Sequence, residues 1–308
     1  MTRGGRWSGP GLDGILVVDK PAGPTSHDVV ALLRRLAATR RIGHGGTLDP
    51  FASGVLPLFL GRATRLAEYH LGAAKAYRAT VCFGATSTTD DLEGELTPVG
   101  PAPDRAAVEA ALPGFVGTIR QRPPAYSAIK VAGRRAYAAA RAGERPTLPE
   151  RDVTVTALRL VDWEAADPAR PIAIIDVECA AGTYVRALAR DLGAAVGGGA
   201  YLGALRRTRS GPFDADDAVD LDQVRQAAAD AGPAGIATLL RPIDAGLESM
   251  PVVALDDGQA RAIAEGQFVR AQAPDGPLRL VGPAGTLVAI GRRVDGRVAP
   301  TKVLVERG

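Results

Sequence analysis

An imidazole and a carboxylate stand five residues apart in a glycine-rich stretch, at His44 and Asp49. The stretch is Gly-His-Gly-Gly-Thr-Leu-Asp-Pro, residues 43–50. Three glycines in four positions exclude a helix interior, because glycine loses the most backbone entropy there. The proline disfavours helical geometry at the preceding residue, so the Asp49 carboxylate lies on a defined bend. Such a carboxylate suits nucleophilic or electrostatic catalysis, although an Asp-Pro pair in a glycine-rich loop is more often a simple turn.

Predicted elements on both sides hold this loop in place. The apolar residues that follow it anchor it in the core, namely Val55, Leu56, Leu58, Phe59 and Leu60. Before it, residues 14–19 have the pattern of a buried strand, and residues 20–24 form a proline-rich turn. Thr25 and Asp28 then have the spacing of a capping box, and apolar residues at helical spacing predict a helix.

The middle of the chain mixes strands and helices. Strands are predicted at residues 77–83, 153–161, 172–179 and 201–207, and helices at 104–112, 182–196 and 221–231. Asp90, Asp91 and Glu93 lie in a polar loop, residues 86–94, that lacks calcium-loop spacing. We interpret this loop as solvated rather than as a cation site.

The pattern changes near residues 245–250, where we place a domain boundary. A short helix at 256–265 precedes three short β runs near 278–281, 286–292 and 298–305, which is typical of a small β-barrel. The chain lacks the Gly-x-Gly-x-x-Gly motif of nucleotide-cofactor folds and the Gly-x-Ser-x-Gly elbow of serine hydrolases. The predicted fold class is α+β.

Composition is that of a globular protein that works in the cytoplasm. The 308 residues are 46% hydrophobic and 23% charged, and no apolar run approaches the roughly 20 residues that span a bilayer. The N-terminus lacks the apolar core of a signal peptide, and two distant cysteines disfavour a disulfide framework. Of 37 basic residues only four are lysines, and arginines cluster at residues 34–41 and 206–209. Such clusters favour a polyanionic partner, although solvated helix faces explain them equally well.

Five motifs in order make the chain resemble the TruB-type tRNA pseudouridine-55 synthases. They are residues 14–21 (GILVVDKP), 43–50 (GHGGTLDP), 75–78 (KAYR), 124–130 (PAYSAIK) and 182–186 (GTYVR). The resemblance implies a pseudouridine-synthase catalytic domain at 13–247, with a mixed, mainly antiparallel central sheet flanked by helices. It also implies a flexible arm at 1–12 and a small β-barrel-like (PUA-like) RNA-binding domain at 248–308.

The resemblance further implies a cofactor-free isomerisation of a tRNA T-loop uridine; we expect no metal and a monomer. The catalytic residues of the family fall on Asp49, Tyr77 and Arg186, and its substrate contacts fall on His44, Lys20, Asp91 and Leu205. Tyr184 is a further candidate substrate contact, and Lys130 and Arg65 are candidate phosphate contacts. Arg186 would keep Asp49 ionised by lowering its pKa, and Tyr77 would stack on a flipped base. The loop around Asp91 departs from the commoner Arg-Thr-Asp-Thr pattern of the family.

Two alternatives remain beside the enzyme. The first is a tRNA-binding or RNA-folding module whose catalysis is lost or secondary; the presence of Asp49, Tyr77 and Arg186 together disfavours it. The second is a relative that acts on other RNAs through a guide ribonucleoprotein. The short N-terminal arm and the lack of long extensions disfavour that one.

Overall fold

The structure is a computed structural model that describes residues 11–126, 130–131, 134–135 and 148–305, without the side chains of the two short segments. Its strands are β1 (Gly14–Lys20), β2 (Ile42–His44), β3 (Ser53–Leu60), β4 (Lys75–Phe83), β5 (Ala85–Ser87), β6 (Leu96–Pro98), β7 (Gly117–Gln121), β8 (Lys130–Val131), β9 (Arg134–Arg135), β10 (Arg151–Glu164), β11 (Ile172–Cys179), β12 (Ala200–Ser210), β13 (Phe213–Asp214), β14 (Val219–Asp220), β15 (Val252–Ala254), β16 (Pro277–Val281), β17 (Leu287–Val294) and β18 (Arg297–Val303). Its described α-helices are α1 (Ser26–Leu36), α2 (Ala67–Leu71), α3 (Arg105–Ala111), α4 (Val185–Ala195), α5 (Leu221–Ala231), α6 (Pro233–Ala237) and α7 (Asp257–Ala264).

A ten-stranded sheet forms the body of the protein. Its main path runs β14-β1-β3-β12-β4-β11-β10-β7, with β2 paired to β3 and β13 to β12. The pairs β1–β14 and β3–β12 are parallel, and the other described pairs of this sheet are antiparallel. The α+β class and the mainly antiparallel sheet are therefore confirmed.

The two faces of this sheet are covered differently. On one face, apolar residues of α1, α4 and α5 pack in one cluster with Leu16, Leu56 and Val81 of the strands. The next residues along the strands point to the opposite face, as the pleat requires, where Ile15 and Val55 pack against Phe213. The helices that carry Thr25 and Arg186 at their starts therefore share one face of the sheet.

The helix and strand limits follow the sequence closely in most places. The capping box of Thr25 and Asp28 forms at the start of α1, as predicted. Leu12, at the end of the segment predicted to be an arm, is buried. The structure adds β3 and the β5–β6 ribbon, which the sequence did not predict. No helix in the described part of the chain is long and apolar enough to cross a membrane.

The C-terminal unit has its own core and a small joint with the large sheet. Its four described strands pair in the order β15-β16-β17-β18 as an open sheet rather than a closed barrel. Leu66 packs with Leu247, Leu287 and Leu304 across the joint. The Arg62 guanidinium donates to the Leu304 carbonyl at 2.8 Å.

The backbones of β3 and β12 approach each other closely where β3 starts. Gly54 pairs with Arg207 and has a φ of 106°, a left-handed conformation that favours glycine. A Cβ on Gly54 would overlap the carbonyl oxygen of Arg207. Glycine is therefore required here by both conformation and space.

We predict that Gly54→Ala destabilises the protein by clearly more than Gly23→Ala. Gly23 also has a positive φ (109°), but its Cβ would meet no atom within 4 Å. Backbone strain alone costs about 1–2 kcal/mol, so the excess at Gly54 measures the steric clash. Urea unfolding of both variants tests this; equal losses of stability would contradict the close approach.

Candidate active site

A cavity of about 510 Å³ opens between the Asp49 loop, β4 and the start of α4. Five residues that the sequence singled out line it, namely Asp49, Tyr77, Tyr184, Arg186 and Leu205. The start of α1 contributes residues 25–27, and Tyr126 and Leu71 complete the rim. The cavity lies over the point where β3, β12 and β4 are adjacent in the sheet.

One buried guanidinium joins two carboxylates at the edge of this cavity. Nε of Arg186 is 3.0 Å from Oδ2 of Asp49, and Nη1 is 3.2 Å from Oδ2 of Asp91. The Arg186 and Asp91 side chains are 5% and 4% exposed, whereas that of Asp49 is 35% exposed. Asp49 is therefore the carboxylate that faces the cavity, with Asp91 behind the arginine.

Backbone carbonyls complete the surroundings of Arg186. Nη1 donates to the Thr89 carbonyl at 3.2 Å, and Nη2 donates to the Tyr126 carbonyl at 2.9 Å. Arg186 is in the first turn of α4, and the backbone of Tyr184 just before it exchanges two hydrogen bonds with the side-chain amide of Gln121 (2.9 and 3.1 Å). Gln121 is fully buried, so it fixes the start of the helix from β7.

Burial raises the pKa of Asp49 above its ordinary value of 3.8. Loss of solvation is the largest cause, and the charge of Asp91 adds to it, while Arg186 and Lys20 act in the opposite direction. Arg186 does act to lower this pKa, as predicted. Burial raises the pKa by more, so the net shift is upward. Even so, the guanidinium is what favours the ionised form in this setting.

Arg207 is a site residue that the sequence did not single out. It is 1% exposed and donates to the carbonyls of Val55 (2.7 Å), Gly46 (3.1 Å) and Thr47 (3.4 Å), so it holds the loop that carries Asp49. It also lines the cavity with Tyr77, and the pKa of the Tyr77 phenol is raised by burial while the Arg207 charge acts to lower it.

The arginine cluster at 206–209 is therefore not a free basic patch. Arg206 pairs with Asp19 at 2.7 Å, and Arg209 pairs with Glu178 at 2.8 Å. The three arginines lie on strand β12, and a register shift between Arg207 and Arg209 breaks the alternation that would otherwise put these two side chains on one face. The burial of Arg207 alone therefore follows from the pairing of β12 in the sheet and not from a local sequence pattern.

Lys20 supports the same loop from below. Its ammonium is buried and donates to the carbonyls of Pro21 (2.8 Å), Pro24 (2.8 Å) and Pro50 (3.3 Å). Loss of solvation lowers its pKa to about 8, with Asp49 acting in the opposite direction. Lys20, which was predicted to contact the substrate, therefore binds the carbonyl of Pro50, the residue after Asp49.

The remaining predicted contacts lie at different distances from the cavity. The His44 ring is 5.4 Å from the ring of His27, which lines the cavity, and burial lowers the pKa of His44. Arg65 lies at the joint with the C-terminal unit, where it donates to the Val303 carbonyl. The side chain of Lys130 is outside the described residues.

The interpretation of residues 86–94 as a solvated loop is wrong for its two aspartates. Asp91 is 3% exposed and bound to Arg186, and Asp90 pairs with Arg190 at 2.8 Å. Glu93 is exposed. The physical reason is the pair of arginines on α4, which the sequence places a hundred residues away. Within the described residues, no group of three or more His, Cys, Asp or Glu side chains is arranged to hold a metal ion.

Sequence comparisons agree along nearly the whole chain. Residues 34–185 match the TruB family pseudouridylate synthase N-terminal domain, residues 186–248 a tRNA pseudouridylate synthase B C-terminal domain, and residues 251–304 the C-terminal domain of pseudouridine synthase II TruB. The chain is 44% identical to the tRNA pseudouridine synthase B of Thermobifida fusca, over 94% of this chain and 98% of that one. It is 42% identical to that of Pseudomonas aeruginosa strain UCBPP-PA14, over 95% and 96%.

Solved structures give the same result for the fold. The Cbf5 structure in a Cbf5-Nop10-Gar1 complex is similar with a TM-score of 0.71 and 28% identity, over 96% of this chain and 86% of that one. The comparisons put the chain among the pseudouridylate synthases, isomerases that convert uridine in RNA to pseudouridine. Within that class, the chain belongs to the TruB family.

We predict that isomerisation slows on the acidic side at a higher pH than an ordinary aspartate would give. We expect Asp49 to act as an anion, and because its pKa is raised, the ionised fraction is lost at a higher pH as the solution is acidified. Asp91→Asn should move this acidic limb to lower pH, since the Asp91 charge is one cause of the raised pKa. Single-turnover rates against pH test this, with Asp222→Asn on the exposed side of α5 as control. A limb that stays in place in Asp91→Asn would contradict the coupling.

Proposed function

We propose that this protein isomerises uridine 55 in the T-loop of tRNA to pseudouridine, without a cofactor, and that Asp49 is the essential residue. The observation that carries the proposal is the Asp49 carboxylate, ion-paired to buried Arg186 and facing a cavity large enough for a nucleotide. The tRNA substrate rests on the relatives, which are named tRNA pseudouridine synthase B. We expect the protein to act as a monomer in the cytoplasm.

The chemistry needs one bond broken and one bond formed. The N1–C1′ bond breaks, the detached uracil turns, C5 bonds to C1′, and the C5 proton leaves while N1 gains one. Positive character develops on the ribose during cleavage, and the Asp49 carboxylate stabilises or traps it. Arg186 keeps that carboxylate oriented and favours its ionised form against the cost of burial.

The target base must leave the RNA stack to reach Asp49. Flipping costs a few kcal/mol, and a base stacked on the Tyr77 ring regains about 1–3 kcal/mol. Leu205 gives the cavity an apolar side near that ring, and Tyr184 lies beside the start of α4. The Tyr77 phenol, which lines the cavity with Arg207, is a candidate to assist removal of the C5 proton.

An arginine surface near the end of α1 fits the backbone of the RNA. Arg34, Arg35, Arg40 and Arg41 are exposed, and none of the four has a carboxylate partner among the described side chains. Three of them line a shallow groove of about 600 Å³. Because phosphates prefer such exposed guanidinium groups, we propose that the tRNA backbone crosses this surface. We further propose that residues 248–308 form a second RNA-binding unit.

An RNA-binding module without catalysis is the competing function. The Arg186–Asp91 pair argues against it, because taking both charges out of water costs free energy that phosphate binding alone does not require. Another similar solved structure is that of an H/ACA RNP bound to a substrate RNA. The higher identity of this chain to the tRNA pseudouridine synthases favours the tRNA substrate.

We predict that wild-type protein releases tritium from a T-stem-loop RNA labelled at C5 of the target uridine, with no metal or nucleotide added. Asp49→Asn should release none above background while binding the RNA within about two-fold of wild type, since positioning is spread over many phosphate contacts. Filter binding and tritium release on the same samples measure both. An equal loss of binding in Asp49→Asn would contradict a chemical role. Tight RNA binding without tritium release in either protein would favour the RNA-binding module instead.

We predict that replacing Arg35, Arg40 and Arg41 together by Gln weakens RNA binding and reduces its dependence on salt. Each lost phosphate contact removes about 0.7–0.9 from the slope of log K against log salt concentration. The single-turnover rate at saturating RNA should stay near wild type. Three exposed arginines that pair with carboxylates outside the C-terminal unit, Arg105, Arg120 and Arg225, provide the matched Gln control. An unchanged salt dependence of RNA binding would exclude this surface as a site of phosphate contacts.

A further inference from the structure

Two arginines one turn apart on α4 bind two consecutive aspartates. Arg186 contacts Asp91 at 3.2 Å, and Arg190 contacts Asp90 at 2.8 Å. Residues four apart on a helix lie on the same side, so the helix offers two guanidinium groups to one short loop. The Arg190 and Asp90 side chains are 28% and 14% exposed, and Arg190 lies outside the cavity.

The backbone of Asp90 explains how neighbouring side chains reach the same helix. In an extended chain, consecutive side chains point to opposite sides. Asp90 has a φ of 63°, a left-handed conformation that is uncommon for residues other than glycine and costs about 1–3 kcal/mol. Its carbonyl accepts from the Leu202 amide of β12 at 3.1 Å, so both backbone and side chain hold it in this conformation.

Arg190 also contacts the segment that supplies the Tyr126 carbonyl to Arg186. Its Nη2 donates to the Arg122 carbonyl at 2.9 Å, and the same turn delivers the Tyr126 carbonyl to Arg186. Asp191 accepts from Nε of Arg190 at 2.9 Å and keeps the guanidinium oriented. Arg186 and Arg190 therefore join the same two segments, the Asp90–Asp91 loop and the turn at 122–126.

We propose that Asp90 and Arg190 are a positioning pair for catalysis, which sets Asp91 and the Tyr126 carbonyl around Arg186 and through them fixes Asp49. Arg190 acts through Arg186 and does not touch the substrate. A planar fork is needed, because one side chain serves Asp90, Asp191 and the Arg122 carbonyl at once. The proposal rests on the proposed isomerisation for its rate readout only.

The experiment compares Asp90→Asn, Arg190→Gln, Arg190→Lys and the double variant Asp90→Asn/Arg190→Gln on the full chain. Asparagine tolerates the left-handed conformation, so Asp90→Asn removes the charge without new backbone strain. We expect single-turnover rates to fall by on the order of ten-fold or more in all four, with RNA affinity within two-fold of wild type. The double variant should be no slower than the slower single variant, since the pair acts as a unit. Arg225→Gln and Asp222→Asn, an exposed pair on α5, are the matched controls.

Two readouts separate positioning from simple stabilisation. The acidic limb of the rate should move to higher pH in Arg190→Gln, because Arg186 is then less well directed at Asp49 and opposes the raised pKa less. Hydrogen exchange should speed up together in peptides covering residues 86–95 and 121–126, including the Glu93 amide that donates to Asp91 at 3.0 Å.

Each outcome decides the proposal. Lower melting temperature with wild-type rates and an unmoved acidic limb would overturn it and leave a structural ion pair. Unchanged exchange in both peptides would also overturn it, whether or not the wild type releases tritium. A wild type without tritium release but with coupled exchange in the variants would refute the proposed isomerisation alone.

Discussion

The site depends on one guanidinium held out of water between two carboxylates. A buried charge is costly unless it is paired and its remaining donors are satisfied. Arg186 is paired with Asp49 and Asp91 and donates to two carbonyls, and these partners come from three separate segments of the chain. Those segments must therefore take their native positions together, because an incomplete set would leave the charge unpaired. The same requirement holds Asp49 beside the cavity, where the Arg186 guanidinium favours its ionised form against the effect of burial.

The large sheet turns this local demand into a rigid site. β3 leads directly away from the Asp49 loop and is buried between β1 and β12. The close approach of Gly54 to Arg207 lets the Arg207 guanidinium turn back to three carbonyls of the loop and its strand. Lys20 does the same from β1 with three proline carbonyls. Two buried cations that bind carbonyls instead of carboxylates thus leave the anionic charge near the cavity to Asp49.

Much of this could be predicted from the sequence, and the gaps have physical causes. The motif residues Asp49, Tyr77 and Arg186 were predicted to act together, and they line one cavity. β3 was not predicted, because Gly54 and Pro57 interrupt its strand pattern, and only the pairing with β1 and β12 compensates. The burial of Asp91 and Arg207 depends on partners 95 or more residues away along the chain, which local patterns do not report. The sign of the Asp49 pKa shift needed the burial of the carboxylate as well as its charged neighbours.

Backbone carbonyls accept the hydrogen bonds that join the large sheet to the C-terminal unit. Arg62 and Arg65 bind the carbonyls of Leu304 and Val303, and Lys302 binds the Arg65 carbonyl at 2.7 Å. A contact to a backbone oxygen depends on the path of the chain and not on which side chain the residue carries. Apart from Lys302, the last strand can therefore change most of its exposed residues without losing these contacts. The outward surface of the C-terminal unit is in this sense free to vary while its attachment to the large sheet stays the same.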